Sequence, residues 1–197
     1  VPPHPLIAHW LTVLRSSTTP APLYATGLEE LGRWLTYESL RDWLPHRKEE
    51  VLTDQGISEG IVIEANVPLI SLPILPAGIE IWQGARKVIP HSDLCLGIVP
   101  KKIETNAGVM IFIDQIASGE RLLSILTQLQ KNNVDSKRIR VITPLSSNSG
   151  LKRIAKTIPD LTIYCACIDA ELNKNGEILP GIGNPVKRLN ARIDYSN

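Results

Sequence analysis

Two stretches of this sequence combine residue types able to hold a phosphorylated ligand or a flat heterocycle. The first is Phe112-Ile113-Asp114-Gln115-Ile116-Ala117-Ser118-Gly119-Glu120-Arg121. An apolar run ends in a carboxylate, a short loop carries a hydroxyl and a glycine, and a helical pattern begins. A helix start points unpaired N–H groups and partial positive charge at the loop before it, which suits a phosphate. Ser118 offers a hydroxyl to a phosphate oxygen, and Gly119 lets the backbone approach closely. The same residues also fit an N-cap serine beside a turn glycine. The second stretch runs from Ile168 to Pro185, where Gly181 and Gly183 flank Ile182 between Pro180 and Pro185. Such a shaped loop can turn backbone donors and acceptors toward a flat ligand, although Gly and Pro mark ordinary turns as well.

Other chemistries find little support. His4, His9, His46 and His91 lie near no cysteine cluster and show no metal-ligand spacing, so no metal site is expected. Cys165 and Cys167 sit two apart in a strand-like run, which reads as reduced cysteines packed in a core. Neither a Gly-x-Ser-x-Gly elbow nor a dinucleotide fingerprint occurs. A net charge of +1 gives no general pull toward nucleic acid or an anionic surface, and no nucleic-acid partner is expected. No apolar run reaches the roughly 20 residues that span a bilayer. Val1-Pro2-Pro3-His4-Pro5 lacks the basic start and apolar core of a secretory signal. The expected location is the cytoplasm, or an organelle stroma where a transit segment has been removed.

These loops need a frame. The 197 residues, 43% hydrophobic and 21% charged, are enough for one large domain spanning 1–197 and exclude global disorder. Leu6, Ile7, Trp10 and Leu14 predict a first helix. Leu28, Leu31, Leu35 and Leu40 predict a second from about Pro22 to Trp43, stopped by Pro45. Strands are predicted at 61–64, 69–75, 94–99, 109–114, 139–143 and 161–168. The runs at 69–75 and 109–114 are nearly continuous in apolar residues, as in parallel strands buried on both faces. Helices are predicted at 78–86, 120–132 and 149–158. This alternation predicts an α/β fold with a central, mainly parallel sheet covered by helices on both faces. In such sheets ligands bind beyond the carboxyl ends of the strands, where both loops fall.

The order of the motifs resembles the uracil phosphoribosyltransferase family over most of residues 4–190. His4-Pro5-Leu6-Ile7-Ala8-His9 with Leu14-Arg15 looks like its opening helix, and Glu29-Glu30-Leu31-Gly32, Tyr37-Glu38 and Arg41-Asp42 like its second. Leu72-Pro73-Ile74-Leu75-Pro76-Ala77-Gly78 is similar to the family's Leu-Pro-Ile-Leu-Arg-Ala-Gly. Tyr164 to Gly183 resembles its uracil-binding stretch through Ile168-Asp169, Leu172-Asn173, Gly176 and Pro180-Gly181-Ile182-Gly183. The resemblance implies a phosphoribosyltransferase-type sheet with N-terminal helices and a small C-terminal hood, usually in a homodimer. It implies uracil and phosphoribosyl pyrophosphate as substrates, UMP and pyrophosphate as products, and magnesium accompanying phosphoribosyl pyrophosphate. By position, Asp114, Ala117, Ser118, Gly119 and Asn184 fall on its phosphoribosyl-pyrophosphate site, and Ile178, Gly181, Ile182 and Gly183 on its uracil site.

The sequence departs from the family within these motifs. The loop is one residue shorter than Asp-Pro-Met-Leu-Ala-Thr-Gly-Gly-Ser, Ser118 replaces threonine, and Glu120 and Arg121 replace the second glycine and the serine. Pro76 replaces the pyrophosphate-contacting arginine. An arginine-bearing hairpin between two central strands gives way to Pro100–Gly108, which retains Lys101 and Lys102. Asn184 replaces an aspartate, and Glu177 stands where the family has a tyrosine. On this basis the expected function is a uracil phosphoribosyltransferase-like protein with impaired catalysis and a structural or regulatory role, with a protein partner. The alternatives are an active uracil phosphoribosyltransferase and a module that senses pyrimidines or nucleotides. Catalytic residues are not assigned.

Overall fold

The computed structural model describes residues 1–190; the expected single domain over 1–197 extends into 191–197, outside the described residues. Two helices, α1 (Pro5–Arg15) and α2 (Ala21–Leu40), open the chain. His4 caps α1, its ring accepting from the Leu6 N–H. A hairpin of β1 (His46–Thr53) and β2 (Gly56–Ile63) follows. Then come β3 (Leu69–Pro73), α3 (Gly78–Ala85), β4 (Asp93–Leu94), β5 (Gly108–Phe112) and α4 (Glu120–Lys131). The rest is a 3-10 turn (Ser136–Arg138), β6 (Ile139–Ser147), α5 (Asn148–Thr157), β7 (Thr162–Asp169), β8 (Glu171–Leu172), β9 (Ile178–Leu179) and α6 (Pro185–Leu189).

The central sheet has the order β4-β3-β5-β6-β7, and its neighbouring strands are all parallel. Every residue of β3 and β5 is buried, as their nearly continuous apolar runs require, and the one polar side chain, Ser71, is hydrogen-bonded to Ser92 at 2.8 Å. Alternate side chains serve two cores. Met110, Phe112 and Ile142 pack with α1, α2 and α3 on one face, while Ile70, Val109, Ile111 and Val141 pack with α4 and α5 on the other.

Several elements differ from the sequence expectation, among them β6, which runs on from the expected 139–143 to Ser147. The second helix ends at Leu40, and a turn, not a helix, carries Trp43 to Pro45. The strand expected at 94–99 pairs regularly only over Asp93–Leu94; the Cys95 and Gly97 N–H groups still reach the Ser71 and Pro73 carbonyls at 2.8 and 3.1 Å, and the left-handed turn at Gly97, φ 67°, then takes the chain off the edge. The strand at 61–64 is the end of a longer hairpin, whose first strand, His46-Arg47-Lys48-Glu49-Glu50-Val51-Leu52-Thr53, is exposed throughout and lacks the apolar alternation that marks a half-buried strand. Trp34, Trp43 and Trp82 are partly buried against the core, and each carries a stacked arginine: Arg33, Arg140 and Arg86 at 5.0, 5.1 and 5.3 Å. Strongly exposed apolar side chains lie on the hairpin, where Leu52 is 82% and Ile57 and Ile61 are 70% exposed, and on the connection between β4 and β5, where Ile98 is 75% exposed.

Candidate functional site

The loop after β5 stands at the carboxyl edge of the sheet. Asp114 leaves the strand almost fully buried, and its Oδ1 accepts from its neighbour's N–H, Gln115, at 3.0 Å. Ile116 extends the sheet pairing to Ser146. Gly119 turns the chain at φ 82° and caps α4, a left-handed conformation that side chains resist. Ser118 is exposed, its Oγ accepting weakly from the Glu120 N–H at 3.4 Å. Ala117 is braced from behind: its carbonyl accepts from the Ser147 hydroxyl at 2.5 Å, and a Cβ on Gly150 would lie 2.3 Å from that same oxygen. Residues 117–119 thus line a cavity of about 100 Å³ together with Gln115, Glu120 and Arg121, and Arg121 ties its wall to Asp114.

The two charged residues that replace the family's glycine and serine point in different directions. Glu120 lines the same cavity, but its carboxylate is engaged by Arg153 on α5 at 2.8 Å, both side chains being more than half exposed. A carboxylate beside a bound phosphate would repel it, and the Arg153 counter-charge reduces that repulsion. Arg121 turns inward. Its Nη1 donates to Asp114 Oδ1 at 2.9 Å and its Nη2 to the Leu75 carbonyl at 3.2 Å. Leu75 precedes Pro76, the position that lacks the family's arginine. Arg121 so delivers a guanidinium to the β3–α3 loop from the neighbouring strand's loop. Burial raises the Asp114 carboxyl above the ordinary aspartate range, outweighing the lowering by the Arg121 charge and the Gln115 N–H.

The hood is held by a second aspartate–arginine pair. Asp169, at the end of β7, binds both terminal nitrogens of Arg15 at 2.7 and 2.8 Å. Arg15 also donates to the Gly181 carbonyl at 2.9 Å, and the Gly181 N–H returns to Asp169 at 3.0 Å. Burial would raise the Asp169 carboxyl, but the Arg15 and Gly181 hydrogen bonds with the Arg15 charge outweigh it and hold it below the ordinary range. The Ile182 carbonyl accepts from the Tyr24 hydroxyl at 3.2 Å and from Arg188 at 3.3 Å. Arg188 lies 4.3 Å over the Tyr24 ring and ties the hood to the Leu14, Ser16 and Thr19 carbonyls. The Tyr24 hydroxyl is pushed up mainly by burial, lowered by the Arg188 charge and raised by the Asp114 charge.

The expected uracil-site residues thus divide. Ile178 packs its side chain into the core and pairs its backbone with Leu172. The Gly181 N–H and carbonyl and the Ile182 carbonyl already have partners inside the protein, so less of that backbone is open than the sequence suggested. The N–H groups of Ile182 and Gly183 and the Gly183 carbonyl have no hydrogen-bond partner among the described residues. Asn184 caps α6, its Oδ1 accepting from the Lys187 N–H at 3.1 Å. Glu177 accepts from the Asn173 amide at 2.7 Å and faces solvent. Lys101 and Lys102 are exposed between β4 and β5. Sequence reasoning missed Arg15, Tyr24 and Arg188 as the hood's supports; Arg15 and Tyr24 stand more than 150 positions from the loop they hold.

Comparison with known proteins gives the family. The family model for uracil phosphoribosyltransferase matches residues 1–190. The chain belongs to the uracil phosphoribosyltransferase family. It is 35% identical to the uracil phosphoribosyltransferase of Synechococcus elongatus, with 96% of this chain and 94% of that protein covered. It is 31% identical to the chloroplastic uracil phosphoribosyltransferase of Arabidopsis thaliana, covering 93% of this chain and 68% of that one. A solved structure of an Aquifex aeolicus protein superposes with a TM-score of 0.84 at 28% identity, covering 98% and 97% of the two chains. Among the described residues no helix is long and apolar enough to cross a membrane, and no three His, Cys, Asp or Glu side chains cluster as metal ligands.

Proposed function

We propose that the protein is a uracil phosphoribosyltransferase that joins uracil to phosphoribosyl pyrophosphate, giving UMP and pyrophosphate. The observation that carries this reading is the placement of Arg121 between Asp114 and Leu75. A bond forms between uracil N1 and the ribose C1 while the bond from C1 to pyrophosphate breaks, and N1 gives up its proton. The leaving group gathers negative charge, so a guanidinium near it lowers the barrier. Arg121 supplies that charge in place of the arginine missing at Pro76. Magnesium would be held mainly through the substrate phosphates. There it would neutralise the departing pyrophosphate. Residues 117–119 and the start of α4 receive the 5'-phosphate. The open N–H groups of the hood read the base.

UMP formation from uracil, phosphoribosyl pyrophosphate and magnesium tests the reading, with Arg121→Met beside the native chain. We expect turnover in the native chain and a fall of about 100-fold in Arg121→Met, the order seen when one charge-stabilising donor is removed. Absence of UMP together with absence of phosphoribosyl pyrophosphate binding would sink it.

A second reading is favoured by the same ion pair. Asp114 is nearly fully buried with Arg121 across it, so the carboxylate is not free to receive a ribose. If that pair never opens, the fold serves as a structural or regulatory partner, or as a pyrimidine sensor. A sensor binds UMP without turnover; a structural partner binds neither ligand. The exposed hairpin gives either form a contact surface, since an isolated two-stranded hairpin is at best marginal in water. We expect a homodimer through Leu52, Ile57 and Ile61, and Ile57→Lys should halve the mass measured by light scattering. A soluble compartment, cytoplasm or organelle stroma, fits this chemistry.

A further inference from the structure

We propose that a pocket at the amino-terminal edge of the sheet binds a small molecule built from one planar ring carrying an anionic group. The pocket lies where β3 begins at Leu69 and β5 at Gly108, and where Arg138 leads into β6. This is the opposite edge from the loops after β3, β5 and β7, so the proposal does not rest on the transferase reading. Its volume is about 130 Å³. A dry cavity of about 150 Å³ accommodates a benzene ring.

The walls suit a ring. Pro45, Pro68 and Pro90 line the cavity and hold their backbones stiffly. Trp43 supplies an aromatic face that cannot retreat. A Cβ on Gly108 would meet its ring at 2.6 Å, Arg140 lies 5.1 Å from the ring centroid, and the indole N–H donates to the Lys137 carbonyl at 3.3 Å. A preformed wall of this kind costs an incoming ring little ordering entropy.

The charge suits an anion. Arg138 lines the pocket, makes no ion pair among the described residues, and leaves one buried terminal nitrogen without an acceptor. The Nε of its neighbour Arg140 is buried without an acceptor too. Unmet buried donors are costly, and charged ones more so. The carboxylate in the wall, Glu64, is already engaged by Arg47 at 3.1 Å. Turning Arg138 onto a carboxylate or phosphate on the ring would satisfy its nitrogens, with the exposed His91 and Asn106 at the mouth as further donors.

Calorimetric titration of the full chain with benzoate, phenyl phosphate and neutral benzyl alcohol tests this. We expect at least one of the two anions to bind with a Kd of about 1 mM or better, as a ligand of about nine heavy atoms can reach. Benzyl alcohol should bind at least about tenfold more weakly. Arg138→Met should reduce the anion to the level of the alcohol, and Val67→Trp, which fills the cavity, should abolish both. Should Arg138→Met fail to fold, the anion-to-alcohol ratio and Val67→Trp still decide the matter. No binding of either anion, equal binding of the alcohol, or undiminished binding in Val67→Trp would overturn the proposal.

Discussion

The hood and the phosphoribosyl loop are each organised by an aspartate at a strand's carboxyl end gripped by an arginine, yet the two pairs differ in completeness. Asp169 receives two bonds from Arg15 and one from the Gly181 N–H. Arg15 is itself three-quarters buried. Asp114 receives one bond from Arg121, whose side chain is about half exposed, and one from the Gln115 N–H. The first pair more than offsets the cost of burying its carboxylate; the second does not. A bolt that fixes backbone geometry needs the first condition. A contact that must exchange its partner for a ligand needs the second, because a saturated pair would cost too much to open. The Arg121–Asp114 pair is therefore suited to yield to phosphoribosyl pyrophosphate, while the Arg15–Asp169 pair holds the base loop in place.

Removing each arginine tests the comparison most directly. Arg15→Met strands a buried carboxylate and frees the Gly181 carbonyl, and should cost about 3 kcal/mol in urea unfolding. Arg121→Met removes a half-exposed partner and should cost about 1 kcal/mol or less. Equal losses would break the distinction between a bolt and an exchangeable contact.

The backbone behind each loop gives a smaller contrast. Gly150→Ala drives a Cβ toward the Ala117 carbonyl, 2.3 Å away, and should cost about 2 kcal/mol by overpacking while lowering UMP formation. Gly176→Ala, at φ 79° with nothing within 4 Å of its Cβ, should cost only about 1 kcal/mol of left-handed strain and leave turnover unchanged. A larger loss at Gly176 would show that the hood is less free at its tip than its geometry indicates.

What the sequence revealed follows the same physics. The buried strands at Leu69 and Val109 were legible because burial on both faces demands unbroken apolar runs. The Asp114–Gly119 loop was legible because Gly119 meets a backbone requirement that few residues satisfy. The hairpin's first strand was not, since an exposed ribbon places no demand on side-chain pattern. Nor were the directions of Glu120 and Arg121. Consecutive helix positions lie about 100° apart, so one turns to Arg153 and the other to Asp114. That divergence weakens the inference of an eroded site, because the intrusive charge is drawn aside and the useful one turned inward. The supports of the hood were hidden for another reason. Arg15 and Tyr24 serve it across the whole chain, and no local spacing records such a contact.

The smallest expected effect is also the one in which the two aspartates should differ in sign. Asp169 has its folded pKa depressed, so its contribution to stability is present above the unfolded value of about 3.9 and is lost as pH falls through the lower folded value. Asp114 has its folded pKa raised. Its ionised form opposes folding at neutral pH, and that opposition fades as pH falls through the folded value toward about 3.9. Urea unfolding from pH 7 to pH 3 should therefore show two opposite departures from the native profile. Asp169→Asn should flatten the acid loss below about pH 4, where the native chain gives up its bolt. Asp114→Asn should remove a shallow rise in stability on going from pH 7 toward pH 4. Were both variants to flatten the same acid limb, Asp114 would be a structural anchor like Asp169. The exchange of Arg121 from carboxylate to substrate would then lose its physical basis.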